Sequence, residues 1–223
     1  MYTFATTAPI SAHLDIPAGG IRLIAADRAD TTVEVLPTDA SKARDVKAAE
    51  QITVTYSDGA LQIEAPSARH QILGPSGSVE IAVQLPVGSS IEVKTASTEF
   101  RGVGTFGDVT IDAAQGAIKV DEAQSVRATV AAGDIIVGRL NGPAELSTQK
   151  GDIQISEAVG GTVVMQSMVG NLTIGAAAGV SASLDAGVTV GRIHNSLSNA
   201  DGAAAALNIR ATTTTGDVVA RSL

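Results

Sequence analysis

Cysteine and tryptophan are absent from this chain of 223 residues, and two tyrosines and three phenylalanines are its only aromatic rings beyond histidine. Without cysteine there is no disulfide scaffold, zinc ribbon, iron–sulfur centre or thiol nucleophile. With so few aromatics there is little on which to stack a base or a sugar. Basic residues are also scarce. Fifteen Lys and Arg stand against 23 Asp and Glu, for a net charge of −8 and a pI near 4.8. That balance argues against nucleic acid or an anionic membrane surface as partner. It does not divide the chain, because residues 1–106 carry 12 acids and 8 bases and residues 107–223 carry 11 and 7. No run approaches the roughly 18 apolar residues of a membrane span. Residues 1–14 show neither the basic segment nor the apolar stretch of a signal peptide, and there is no lipidation cysteine. On these grounds the chain is expected to be cytoplasmic and not inserted in a membrane.

What is present is Ala, Val, Ile and Leu, with 23 glycines; 44% of the residues are hydrophobic and the mean hydropathy is +0.23. This is too apolar for a disordered acidic chain. A repeat of the form Gly-x-apolar-x-apolar organises it, starting at Gly107, Gly116, Gly133, Gly151 and Gly170 and continuing more weakly at Gly191 and Gly216. The spacings are 9, 17, 18, 19, 21 and 25, so the period is near 18 and the 9 is a half-period. Before each later glycine a second strand stands in fixed register. Val126, Ala128 and Val130 precede Gly133; Ala144, Leu146 and Thr148 precede Gly151; Val163, Met165 and Ser167 precede Gly170. Leu184, Ala186 and Val188 precede Gly191, and Ile209, Ala211 and Thr213 precede Gly216. Period-2 alternation buries one face. Glycine supplies the bend between short strands. A coil of stacked strands has a narrow interior that small and β-branched side chains fill, which accounts for the missing aromatics. The reading is all-β: a right-handed β-helix-like solenoid over residues 96–223. Ser198–Ala206 reads as an insertion loop that helps cover the terminal rung.

The first part, residues 1–95, lacks the even period. Ala12, Leu14 and Ile16 precede Gly19, with Ile21 and Leu23 after it. Asp58-Gly59 between alternating apolar runs signals a hairpin. Strands are expected at Thr32–Leu36, Val79–Leu85 and Ile91–Lys94, a helical turn within Pro37–Glu50, and a long connection over Ala65–Ser78. This part is expected to be antiparallel β, packed on or capping the solenoid as one continuous structural unit with it, and hiding one open sheet edge.

The run Ala48–Pro66, the step Val83-Gln-Leu-Pro86, and the close Gly191–Leu197 with Ala211–Leu223 resemble bacterial toast-rack proteins, the domain-of-unknown-function family 4097 of β-strand repeats often labelled adhesins. The shorter actinobacterial members are the nearest likeness, and it covers nearly the whole chain. The resemblance implies a right-handed β-helix-like fold and no established catalytic residues. It also implies a setting in envelope-stress or transporter-associated systems, although some relatives carry a membrane anchor that this sequence does not show.

Candidate sites are few. Asp134, Asp152 and Asn171 are expected one above another on successive rungs about 4.8 Å apart, with Asp108 and Asp217 at equivalent corners elsewhere. Calcium would suit such an oxygen-only column. The stronger expectation is that these side chains bond backbone at their turns. Asp121-Glu122, the only adjacent acid pair in the repeat part, reads as a solvated connection with no His or Arg cluster in register. His13, His70 and His194 show no metal-ligand spacing. Arg192 and His194 share parity and could form an outward patch with Arg210. No catalytic residue, cofactor or phosphate loop is expected. The function expected is a non-enzymatic structural or protein-interaction module. The alternatives are a self-assembling β-helix filament and a carbohydrate-binding or carbohydrate-active β-helix.

Overall fold

The computed structural model describes residues 1–66 and 77–223. His70 and most of the Ala65–Ser78 connection lie outside the described residues. Among the described residues, apart from one helix and a short 3-10 turn at Gly202–Ala204, the regular structure is strand, all of it in one hydrogen-bonded sheet system.

The stack of parallel rungs begins earlier than residue 96. Strand β2 (Ser11–Ala26) is itself a complete rung, bent at Gly19, and it pairs in parallel with the first part of β7 (Ser90–Gln115), Leu14 opposite Val93 and Gly19 opposite Thr98. β7 then folds back on its own start, Gly107 N donating to Ser89 O at 2.9 Å. It continues in parallel onto β8 (Ile118–Ala132). From there the coil is regular. β8 pairs with β9 (Ile135–Leu140) and β10 (Ala144–Lys150); β9 pairs with β11 (Ile153–Ala158); β10 pairs with β12 (Gly161–Val169); and β11 pairs with β13 (Leu172–Ala176). The register matches the sequence pattern: Val126, Ala144 and Val163 are successive neighbours, as are Ala128, Leu146 and Met165. These side chains form one continuous buried column.

The last two rungs do not stack in chain order. β14 (Ala182–Val190) and β15 (Ile193–Ser196) come first in sequence, and β16 (Leu207–Thr215) and β17 (Val218–Ser222) close the chain. Yet β12 pairs with β16 and β13 with β17, while β14 and β15 pair with the outer edges of β16 and β17. The final rung is therefore threaded between the rung before it and the rung before that. The insertion loop over residues 198–206 is the return connection. It brings Leu207 N to Ser181 O (3.2 Å) and Gly161 N to Ala206 O (2.9 Å), and Asp201 N donates to Ser181 Oγ at 3.1 Å. A regular coil would not need the 25-residue spacing from Gly191 to Gly216. A coil that steps back by one rung does. The loop buries Ala182 at the start of this rung but leaves Val190 61% exposed, so it covers only part of it.

The remaining elements cap the other end. β5 (Ala60–Glu64) and β6 (Val79–Pro86) run parallel to the two arms of β2. β5 pairs antiparallel with β4 (Thr53–Ser57) through Asp58-Gly59, whose φ values of 50° and 80° are those of a tight hairpin turn. β6 pairs antiparallel with β3 (Asp30–Pro37), and β3 with β1 (Tyr2–Ala5). The antiparallel pairing expected of the first part is thus made by β1, β3 and β4, and on one side only by β5 and β6. The expectation fails for β2, which is a rung of the solenoid separated in sequence from the next rung by the cap. Phe4 and Tyr56 join β1 to β4 with ring centroids 5.2 Å apart. Helix α1 (Ala43–Gln51) packs on β3 and β6, and the buried Asp45 carboxylate accepts from Ser78 N at 3.0 Å.

Candidate functional site

The Gly-Asp corners form the most ordered polar feature. Gly133, Gly151, Gly170, Gly216 and Gly191 lie one over another, each against the carbonyl of its neighbour in the stack. A Cβ on Gly151 would sit 2.1 Å from Gly133 O, and one on Gly170 would sit 1.8 Å from Gly151 O. Both have φ near +150°, which L side chains avoid. The residue after each glycine makes a second ladder. Asp152 N donates to Asp134 Oδ1 (2.8 Å), Asn171 N to Asp152 Oδ1 (2.7 Å), Asp217 N to Asn171 Oδ1 (2.9 Å) and Arg192 N to Asp217 Oδ1 (2.8 Å). Asn171 Nδ2 also lies 3.5 Å from Asp152 Oδ2.

The structure thus brings Asp134, Asp152 and Asn171 together in the expected order and gives each an inter-rung hydrogen bond. Asp217 belongs to the same column and not to a separate corner, because the last rung is threaded directly onto residues 163–176. Asp108 is the one at another corner, where Ser125 Oγ donates to its Oδ1 at 2.5 Å. Among the described residues, no cluster of three or more His, Cys, Asp or Glu side chains has the arrangement of a metal site. Inside the same bend a third ladder runs through buried hydroxyls. Thr148 Oγ1 donates to Gly133 O (3.3 Å), Ser167 Oγ to Gly151 O (3.1 Å) and Thr213 Oγ1 to Gly170 O (3.0 Å).

Asp121-Glu122 is not a solvated connection. β8 passes through this corner unbroken, and Glu122 is in register with Arg139. Arg101 Nη2 donates to Asp121 Oδ1 at 3.0 Å. Thr105 Oγ1 and Asn141 Nδ2 donate to the two Glu122 oxygens at 3.1 and 2.9 Å, while Arg139 Nη1 meets Glu157 Oε1 at 2.7 Å. This half-buried network ties successive rungs together.

Arg192, His194 and Arg210 do not form one patch. His194 is exposed on β15 beside Val219, whereas Arg210 lies on β16, across the glycine corner, in register with Val164 and Asp185. Parity alone could not show this, because the corner sends the two strands to different faces. Sequence reasoning missed a different cluster. His13, Asp15, Gln62, Glu64, Glu92 and Lys94 line an open groove of about 260 Å³ on the outer faces of β5, β2 and β7. His13 Nδ1 lies 3.0 Å from Glu92 Oε2, and Lys94 Nζ lies 3.1 Å from Glu92 Oε1. Lys94 first, and His13 after it, hold the Glu92 carboxyl below the ordinary range. The signal was the shared outward parity of His13 and Asp15 with Glu92 and Lys94, legible only once β2 is placed beside β7.

Outward columns elsewhere are ordinary cross-strand rows. Thr110, Arg127, Glu145, Val164, Arg210 and Asp185 follow one another across the stack, with Arg127 Nη1 2.7 Å from Glu145 Oε2. Such a face offers a flat, regularly spaced surface with side chains of both signs.

A family model described as Toastrack DUF4097 matches residues 13–222. No curated protein matches the chain. Among solved structures, the chain is similar to a candidate adhesin from Bacteroides fragilis NCTC 9343, with a TM-score of 0.58 and 16% identity over 100% of this chain and 96% of that one. It is also similar to a candidate lipid-binding protein from Parabacteroides distasonis ATCC 8503, with a TM-score of 0.50 and 12% identity over 98% and 95% of the two chains. At such identities the likeness speaks for the fold.

Proposed function

This chain belongs to the Toastrack DUF4097 family, and from that premise we propose that it is a non-enzymatic, adhesin-like interaction module whose outward strand faces bind another protein. The observation that supports this reading is the use of the polar side chains at the corners. Asp134, Asp152, Asn171 and Asp217 are all engaged rung to rung, as are the Asp121 and Glu122 carboxylates. The chemistry at the bends is that of a scaffold, and the groups left for contact lie on the flat faces. The likeness to a candidate adhesin fits this reading. A scaffold or sensor role within an envelope-stress or transporter-associated system is the finer form of the proposal. Among the described residues no helix is long and apolar enough to cross a membrane.

The test is cross-linking and affinity capture from the native host with the full chain, against a variant carrying Arg127→Glu and Arg210→Glu. Both residues are exposed on the repeat face, so the fold is expected to survive and partner capture to fall. Capture that is unchanged by the reversal would exclude this face. A specific hit on a glycan array, or turnover of a polyuronate, would overturn the non-enzymatic protein-binding reading in favour of the carbohydrate one.

A further inference from the structure

The two ends of the stack are unequal. At one end β2 is covered by β5 and β6, and these by β4, β3 and β1. At the other, among the described residues, β14 and β15 pair with β16 and β17 on one side only. Inner-face side chains are buried throughout the stack, but here Leu184, Ala186 and Val188 are only half-buried, and Ile193 is 48% exposed. Residues 182–196 hold no proline and no lysine, two of the devices that guard an open edge. We infer that this edge is the interface with a second copy of the same chain, related by a two-fold axis in a closed dimer.

The cross-section of a rung is matched by another rung, and the one uncovered rung a second copy offers is the same one. The cap ends on the short strands β1 and β4, which do not reproduce the nine-residue span of β14, so head-to-head contact is the matched one, and an isologous contact closes at two. The sequence of β14 suits it. Antiparallel pairing of two copies about Ala186 sets Leu184 against Val188, Ala182 against Val190, Ser183 against Thr189 and Asp185 against Gly187. Apolar side chains meet apolar ones, and no carboxylate faces another. The net charge of −8 would hold two copies apart elsewhere, but in residues 182–196 Asp185 is balanced by Arg192. The inference does not rest on the adhesion reading. A dimer that captures no partner and a monomer that captures one would separate the two.

Light scattering on the full chain across a wide concentration range tests it. The expected mass is twice 22.4 kDa at high concentration, falling towards 22.4 kDa on dilution. Val190→Asp with Ile193→Asp, both at exposed positions, should leave circular dichroism and melting unchanged and weaken association by about tenfold or more. Should that variant misfold, Gly187→Cys provides a second reading. The position is exposed, and an added Cβ meets only Thr212 Cγ2 at 3.7 Å. In a chain without other cysteines, a short thiol cross-linker should then give a single dimer band. A monomer at the highest concentration, a series growing beyond two, a folded double-Asp variant that dimerises as before, or no cross-link in the Gly187→Cys variant would each overturn the proposal.

Discussion

At the scale of single residues, the glycine corner sets the strictest demand. Gly151 is pinned between Gly133 O and its own carbonyl's contact with Gly170, at a φ open only to glycine. Gly151→Ala should therefore cost about 3 kcal/mol or more. For a chain of this length that lowers the melting temperature by roughly 6–12 °C, measurable by calorimetry. The Asp ladder makes a milder and more diagnostic demand. Asp152→Ala removes the acceptor for Asn171 N and should cost about 1 kcal/mol. Asp152→Asn keeps an acceptor oxygen, as Asn171 itself does for Asp217 N, and should be nearly neutral. If the column served a cation instead, the parent chain would show a calcium-dependent rise in melting temperature and the Asn variant would lose it. The account predicts no such rise in either. The glycines, their period and the Asp column were legible from sequence because each rung repeats the same local requirement. The corner at Thr98 was not. It stacks between Gly19 and Gly116 without being glycine, so a reading keyed to glycine passes over it.

At the scale of elements, the sequence pattern specified strands and their inward faces, but not which strand lies beside which. The offsets before Gly191 and Gly216 are the same, and alternation in β14 and β16 is equally good, so nothing local distinguishes an end rung from an inner one. The long 191–216 spacing was the single sign, and a loop bulging from a regular coil would read the same way. For β2 the obstacle was distance. Ala12, Leu14 and Ile16 lead to Gly19 as in later rungs, but the cap intervenes before the next rung begins. Threading has a consequence. Deleting residues 207–223 should remove the support of β14 and β15 as well, so hydrogen exchange over 182–196 should become fast while 144–158 stays protected. Continued protection of 182–196 would show that these strands do not depend on β16 and β17. In the cap, Asp45→Ala leaves Ser78 N without its buried partner and should cost about 1–3 kcal/mol by denaturant titration.

At the scale of the whole molecule, aromatic scarcity has a structural meaning. The interior is a column of Val, Ile, Leu and Ala, and the phenylalanines at positions 100 and 106 are buried in early coils near the cap, where the cross-section departs from the repeat. The regular coils keep flat outer faces, which is the surface a binding module needs. Stability should be shared unevenly along the stack, because each rung leans on its neighbours and the ends differ. The central structural claim is the order of the last three rungs, and the absence of native cysteine allows a direct test. Gln166, Thr212 and Gly187 occupy outward positions on adjacent strands in that spatial order. Adjacent strands lie about 4.8 Å apart, within disulfide reach, and strands two apart lie beyond it. Under mild oxidation, Gln166→Cys with Thr212→Cys should form an intramolecular disulfide, and Gln166→Cys with Gly187→Cys should not. The reverse result would mean that the rungs stack in chain order and that the threading is wrong.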